Sequence, residues 1–283
     1  MNRLARSPLA LLLLLAGCSE YDLTAPPSTE VGAVDDVEDI VDDGSEPLDA
    51  PIAVCSSSPP EVQPPFETNQ FVGDQSYDPA GQGIVSYSWT LTASPVGSSA
   101  SLSGSGANRT FTADQAGLYT AQLIVESVDG RVSEPCTTDL NAIPAESLWI
   151  EMFWQHSGDD MDLHVLRPGG TPRTPGDCYY ANCQYAPLDW GVSGSGADDP
   201  SLDLDDISFT GPENINIASP EFGTFTVFVH DYPGSSYSAA NDVTVNIYID
   251  GVLVWTDTRT ITGEDSDTYF AEVTWPQALV TTL

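Results

Sequence analysis

Apolar and polar residues alternate with a period of two in several segments of this chain, as is typical of half-buried β-strands. Two such segments lie in its first half; their apolar positions are Val85, Tyr87, Trp89 and Leu91, and Tyr119, Ala121, Leu123 and Val125. Clusters of Gly, Pro, Asp and Ser separate these segments, and no helical period of 3.6 residues appears. The pattern predicts short strands joined by turns, as in a β-sandwich.

The second half carries the same signal. Val243, Val245, Ile247 and Ile249 alternate with polar residues, and Asp250-Gly251 then precedes the apolar run 252–255. An Asp-Gly pair between two such runs is a strong signal for a β-hairpin. Residues 148–154, 224–230 and 268–275 are further candidate strands. We therefore expect an all-β protein with two β-sandwich domains, the second jelly-roll-like or a related sandwich.

The expected organisation has five parts. Residues 1–18 are a signal peptide with a lipidation motif, and residues 19–50 are a disordered acidic linker. Residues 51–144 and 145–276 are the two sandwich domains, and residues 277–283 are a C-terminal tail. The linker carries eleven acidic residues and no basic one, so it cannot bury enough apolar surface to order itself. It is expected to act as a spacer, with an interaction tail as the alternative.

The net charge of −35 narrows the choice of partners. The chain has 42 acidic residues against seven basic ones, and all seven are arginine. This charge argues against nucleic acid as a partner, because phosphate binding needs clustered positive charge. Direct adsorption to anionic lipid is disfavoured for the same reason.

The N-terminus has the features of an export signal. Arg3 and Arg6 precede the apolar run 9–15, and Leu15-Ala16-Gly17-Cys18 follows. This tetrapeptide resembles the lipobox of bacterial lipoproteins, which implies that Cys18 carries acyl chains such as palmitate and anchors the protein to a membrane. Ser19 lacks the acidic character of an inner-membrane retention signal, which favours the outer membrane or cell surface. The alternative is an ordinary signal peptide cleaved nearby.

Residues 51–144 resemble the polycystic-kidney-disease (PKD) domain. The matching segments are D-Q-S-Y-D-P-A-G-Q-G-I-V-S-Y-S-W at 74–89 and F-T-A-D-Q-A-G-L-Y-T-A-Q-L-I-V-E at 111–126. W-T-L-T-A-S-P stands where the family commonly has W-D-F-G-D-G. The resemblance implies an Ig-like sandwich for spacing, adhesion or weak surface binding, without catalysis. Asp114, Gly117 and Tyr119 look like a tyrosine corner, and Trp89 looks like the core tryptophan.

Four cysteines remain after Cys18 is set aside, which suits an oxidising compartment. Three pairings are possible, and the local one, Cys55–Cys136 with Cys178–Cys183, keeps each disulfide inside one domain. Zinc binding is the weaker alternative, because C-x₄-C has no second pair or nearby histidine at structural spacing.

The second domain contains two acidic motifs. D-D-M-D-L-H at 159–164 places Asp160, Asp162 and His164 on one face of a strand, and A-D-D-P-S-L-D-L-D-D at 197–206 crowds carboxylates into a loop. Calcium is the preferred ligand because it takes six to eight oxygens; its candidate ligands are Asp160, Asp162, Asp199, Asp203, Asp205 and Asp206. The alternative is that these acids are simply solvated.

These motifs, with G-P-E-N-I at 211–215, resemble a poorly characterised bacterial secreted domain. The resemblance implies a fold and secretion but assigns no catalytic residue. Aromatic residues around 178–183 suggest a platform that stacks on sugars: Tyr179, Tyr180, Tyr185 and Trp190. The alternative is that these rings cover the sandwich beneath a long loop.

The sequence therefore predicts a non-catalytic cell-envelope lipoprotein that presents β-sandwich modules for binding or spacing, with calcium as a stabilising ion. Its expected partners are the membrane, through the lipid anchor, and a protein or glycan ligand. Carbohydrate binding by the second domain is the alternative function. A metal-dependent hydrolase centred on Asp160, Asp162 and His164 comes third, since no H-E-x-x-H or G-x-S-x-G motif occurs.

Overall fold

Strands and turns make up nearly all of the regular structure in this computed structural model, which describes residues 48–184 and 188–283. The helix within these ranges, α1 (Tyr180–Cys183), is a single turn. No helix there is long and apolar enough to cross a membrane. The signal peptide, Cys18 and nearly all of the expected linker lie outside the described residues. The all-β prediction is confirmed.

The first sandwich packs a three-stranded sheet, β1-β3-β5, on a four-stranded sheet, β2-β7-β6-β4. Its strands are β1 (Ser56–Ser58), β2 (Glu61–Val62), β3 (Thr68–Val72), β4 (Ile84–Ala93), β5 (Arg109–Thr112), β6 (Gly117–Ser127) and β7 (Cys136–Ala142). The strands pair antiparallel except for β2 and β7, which are parallel. The Cys55–Cys136 disulfide links the start of β7 to the residue before β1.

Alternation in β6 builds the core of this sandwich. Tyr119, Ala121 and Leu123 are buried at every second position, and Tyr119 and Ala121 cluster with Phe71 and Phe111 of the opposite sheet. The Tyr119 hydroxyl donates to the backbone oxygen of Gln115 at 3.0 Å, and it accepts from the backbone N–H of the same residue at 3.2 Å. This is the tyrosine corner that the sequence predicts.

The second sandwich packs two five-stranded sheets, β10-β9-β13-β16-β17 and β11-β12-β8-β14-β15. Its strands are β8 (Leu148–Trp154), β9 (Met161–Leu166), β10 (Asp177–Cys178), β11 (Pro200–Leu204), β12 (Glu213–Ile217), β13 (Gly223–Asp231), β14 (Asn241–Ile249), β15 (Val252–Ile261), β16 (Ser266–Trp275) and β17 (Leu279–Thr282). Strands β14 and β15 form the predicted hairpin. Asp250 and Gly251 both have positive φ, 48° and 76°, as a type I′ turn requires.

The C-terminal residues belong to a sheet and are not the tail expected for 277–283. Strand β17 pairs antiparallel with β16, from Ala271 opposite Thr282 to Thr274 opposite Leu279. The strand is short, and its residues are mostly exposed because it lies at a sheet edge. Trp255 also bonds to Thr282 at 3.0 Å. Position 276 is therefore a turn within the sandwich and not its end.

Strand β8 is buried on both faces, because one face lies in the core of the second sandwich and the other contacts the first sandwich. Ile150 and Met152 point into the core of the second sandwich, whereas Trp149 clusters with Tyr248 and with Ala116 of the first. Glu151 lies on this second face. Its Oε2 accepts the backbone N–H of Ala116 at 2.9 Å, so a buried carboxylate joins the two sandwiches.

Burial raises the pKa of Glu151 to about 7, although the hydrogen bonds from Ala116 and Trp149 act in the opposite direction. Below pH 4.5 this carboxyl group is protonated in both the folded and the unfolded chain. As pH rises from 4.5 to 7, only the unfolded chain releases the proton, so this group's contribution to stability is lost over that window.

We expect Glu151→Gln to remove this pH dependence, because the amide does not titrate and its oxygen still accepts from Ala116. The variant should gain stability relative to wild type by up to roughly 3 kcal/mol at pH 8 and by little at pH 4.5. Urea denaturation at both pH values measures the difference. The exposed Glu134→Gln serves as the control and should show no such gain; an equal gain in both variants would contradict the assignment.

Candidate metal centre

Strand β9 carries functional side chains on the face opposite the core. Met161, Leu163 and Val165 point into the core of the second sandwich, so Asp162 and His164 point outward, as predicted. Both outward side chains are nevertheless buried, at 3% and 1% exposure. A long connection that includes β10 and α1 covers this face.

Three carboxylates from three elements meet at one end of the second sandwich. One oxygen from each of Asp162, Asp205 and Glu213 lies within 4.8 Å of the others; we call this group the carboxylate cluster. Asp162 comes from β9, Asp205 directly follows β11, and Glu213 begins β12. Because β11 and β12 belong to one sheet and β9 to the other, the cluster bridges the two layers.

Glu213 is fixed by hydrogen bonds to the backbone. It shares the face of β12 that carries Ile215 and Ile217 into the core, and it is almost fully buried. Strand β10 pairs with β9 only at Val165 and Leu166, which leaves the N–H of Leu163 free of a ladder partner on that side. Glu213 Oε2 accepts this N–H at 2.8 Å, and its Oε1 accepts that of Asp206 at 3.3 Å.

Two oxygens at the site have no hydrogen-bond partner. They are Oδ2 of Asp162 and Oδ1 of Asp160, the residue just before β9. A buried carboxylate oxygen normally receives a donor, because leaving it unpaired costs about 1–3 kcal/mol or more. These oxygens therefore point to a ligand that offers positive charge.

The electrostatics of the site disfavour ionised acids. Burial, followed by the charges of Asp160 and Asp205, raises the pKa of Asp162 to about 8. The pKa of Asp160 rises to about 6, first through burial and then through Asp205. Burial also raises the pKa values of Asp205 and Glu213. A bound cation would reverse these shifts, because it stabilises the ionised form of every carboxylate around it.

A cavity of about 220 Å³ adjoins the carboxylate cluster. Its walls are formed by Asp160, Asp162, Tyr180, Asp205, Ile207 and Tyr232. A second recess of about 330 Å³ shares Asp160, Ile207 and Tyr232 with it and continues past Ser208, Ser235 and Ser236. The cluster thus lies beside open space that a ligand can enter.

Three of the predicted metal ligands have other partners. Asp199 Oδ1 accepts the backbone N–H of Trp190, and Asp203 bonds to Ser201 and Asn216 on the outer face of its sheet. Asp206 caps a turn by accepting the N–H groups of Phe209 and Gly211. The structure therefore brings Asp160, Asp162 and Asp205 together and leaves Asp199, Asp203 and Asp206 out of the cluster.

Glu213 is the member of the carboxylate cluster that the sequence does not single out. Its motif, G-P-E-N-I, lies outside the acid-rich loop at 197–206, so a high density of acids does not mark it. The sequence does carry a signal: a glutamate two residues before Ile215 and four before Ile217 falls on the same, core-facing side of a strand. An acid at such a position needs a partner of its own.

His164 belongs to a packed network beside the cluster. Its ring lies between Tyr179 and Phe228, with centroid distances of 4.7 and 4.4 Å. Its Nδ1 is 2.8 Å from Oδ2 of Asp177. Burial lowers the pKa of His164, which favours the neutral ring. These contacts give the ring a role in holding the covering segment on β9.

The aromatic residues around α1 divide between two environments. Tyr180 is partly exposed and forms a wall of the cavity, whereas Tyr179 stacks on His164. Trp190 is 1% exposed and donates to the backbone oxygen of Pro175 at 2.8 Å. The expectation that Trp190 offers a binding surface is therefore wrong, because its ring fills the core. Tyr185 lies outside the described residues.

The predicted disulfide Cys178–Cys183 is present and closes a short loop around α1. Cys178 pairs with β9 through β10, so the disulfide ties Tyr179 and Tyr180 to the sheet that carries Asp162. The loop that supplies a wall of the cavity is thus held by both a covalent bond and a strand pair.

No protein-family model matches the sequence, and no curated protein matches it. Among solved structures, the solution structure of the PKD domain from KIAA 1837 protein is similar at 23% identity, with a TM-score of 0.27. The match covers 35% of this chain and 89% of that one. The fold described above therefore rests on the strands and sheets themselves.

Proposed function

We propose that this protein is a non-catalytic cell-envelope lipoprotein whose second β-sandwich is stabilised by a calcium ion at the carboxylate cluster. The convergence of Asp162, Asp205 and Glu213 within 4.8 Å is the observation that carries the calcium proposal. Crowded acids on a solvated surface need no cation, but Asp162 and Glu213 are almost fully buried.

The donor set favours a hard cation. All donors are carboxylate oxygens, with Asp160 available beside the three cluster members, and no His or Cys belongs to the group within the described ranges. Calcium takes six to eight oxygens and tolerates irregular geometry, whereas magnesium demands a near-ideal octahedron and keeps several waters. Calcium therefore suits a site that joins two sheets.

Calcium should raise the melting temperature of the exported chain, by which we mean residues 19–283 without the signal peptide, at pH 7.5 relative to the same protein in EDTA. At a free concentration of about 100 times Kd, binding contributes about 2.7 kcal/mol, or roughly 5–10 °C for a protein of this size. Differential scanning fluorimetry in EDTA, Ca²⁺ and Mg²⁺ measures the shift, and equilibrium dialysis with ⁴⁵Ca²⁺ measures binding directly.

Two variants test the location of the ion. In EDTA, Asp162→Asn should melt at or above the wild-type temperature, because it removes a buried carboxyl group that repels its neighbours. Glu213→Gln should melt lower, because its amide nitrogen cannot accept the second of the two N–H groups, from Leu163 and Asp206, that the carboxylate oxygens bind. Both should lose the calcium response. Asp203→Asn is the matched control from the same acidic region and should keep it. Equal melting of the wild type in EDTA and Ca²⁺, with no ⁴⁵Ca²⁺ bound, would remove the proposal.

The anchor is the second part of the proposal and rests on the L-A-G-C sequence at 15–18. Burial of acyl chains contributes about 0.8 kcal/mol per CH₂ group, so several chains on one residue give a lasting membrane attachment. The acidic segment behind Cys18 would then hold the sandwiches away from the lipid surface, since like charges extend such a chain.

Cys18→Ser should abolish incorporation of labelled palmitate and move the full-length protein from the detergent phase to the aqueous phase of Triton X-114. Ser19→Asp should keep the label but shift the protein toward the inner membrane of a diderm host, as shown by sucrose-gradient fractionation. Unchanged detergent partitioning of Cys18→Ser would contradict lipidation at this residue.

A further inference from the structure

We infer that the proposed calcium ion also recognises a ligand: it coordinates adjacent hydroxyl groups of a neutral sugar or polyol in the cavity beside the carboxylate cluster. This inference rests on the proposed cation site and goes further by naming the class of ligand. It joins features that the sequence suggested separately, an acidic site and a tyrosine wall.

The cavity has more room than an ion needs. Its volume is about 220 Å³, whereas a water molecule occupies about 30 Å³ in the liquid. Asp160, Asp162 and Asp205 lie in its wall, so an ion held there faces the open space. Calcium that is not saturated by protein oxygens completes its shell with water or with ligand oxygens.

The charge of the site selects against anions. Asp160, Asp162, Asp205 and Glu213 carry four negative charges when they are ionised, and one Ca²⁺ neutralises two. Arg173 is the basic group whose field reaches Asp162, but its guanidinium is paired with Asp267 at 2.6 Å. A carboxylate or phosphate ligand would meet residual negative charge, whereas a neutral hydroxyl coordinates the ion without that penalty.

The other walls suit the apolar faces of a sugar ring. Tyr180 and Tyr232 meet edge to face, with centroids 5.8 Å apart, and Tyr232 is 40% exposed. The exposed Ile207 adds an apolar side chain to the cavity wall. Aromatic rings with an apolar body and a polar tip bind ligands that present both kinds of surface.

The adjoining recess gives the ligand room to extend. It continues from Tyr232 past Ser208, Ser235 and Ser236. The hydroxyls of Ser235 and Ser236 already donate to neighbouring backbone oxygens, at 2.7 and 3.0 Å, and each keeps a lone pair that can accept. A second ring or a longer polyol chain would therefore meet acceptors and not an apolar wall.

The test is isothermal titration calorimetry with D-mannose, D-galactose, L-fucose and D-galacturonate, each added to the exported chain in Ca²⁺ and in EDTA. We expect at least one neutral hexose to bind in Ca²⁺, and its binding to be lost in EDTA and in Asp162→Asn. Galacturonate should bind more weakly than galactose. Tyr232→Ala should weaken hexose binding about tenfold and leave ⁴⁵Ca²⁺ binding unchanged.

The control is Tyr77→Ala, which removes an exposed tyrosine from the first sandwich and should leave hexose binding unchanged. A protein that binds ⁴⁵Ca²⁺ but none of the hexoses would overturn this inference and leave the calcium proposal standing. Loss of ⁴⁵Ca²⁺ binding itself would overturn both. Equal hexose binding in EDTA, or tighter binding of galacturonate, would overturn recognition through the ion.

Discussion

This structure depends on one physical constraint: carboxylates of like charge are held close together at a largely buried site. Two carboxylates about 4 Å apart repel by roughly 4 kcal/mol at the effective dielectric constant of about 20 found near protein surfaces. The second sandwich places Asp162, Asp205 and Glu213 at such distances. These carboxylates cannot move apart, because the neighbouring Leu163 and Ile215 pack in the same core from opposite sheets. Relief must therefore come from a proton or a cation.

Strands buried on both faces make this arrangement possible. Strand β9 buries one face in the core and the other beneath the segment that carries Asp177 and Tyr179. Strand β8 uses its second face against the first sandwich, through Trp149 and Glu151. Where an outward face is covered, its polar residues must find partners inside the protein. Asp177 is the hydrogen-bond partner of His164, and the backbone N–H of Ala116 is that of Glu151.

The fold was largely predictable, whereas the site was only half predictable. Period-two alternation located β4, β6 and β14, and Asp250-Gly251 located the hairpin, because these signals are local. Glu213 and Trp190 depend instead on contacts between segments distant in sequence. Glu213 reaches Leu163 fifty residues away, and Trp190 enters the core beside Phe225. In an irregular loop, no local pattern distinguishes a buried aromatic ring from an exposed one. The number of acids in a segment likewise does not indicate which of them come together in the fold.

The position of the cluster explains how one feature can affect both stability and recognition. The cluster lies where β9 extends beyond its pairing with β10 and where β12 begins. There the Glu213 side chain accepts the backbone N–H of Leu163, which elsewhere in the sheet a neighbouring strand would accept. Such a position is rigid on the core side and open on the cavity side. An ion held there would tie the two sheets together with the oxygens it takes from the protein. Its remaining coordination positions would face Tyr180 and Tyr232, so the charge that stabilises the sandwich would also be the charge that a neutral ligand meets.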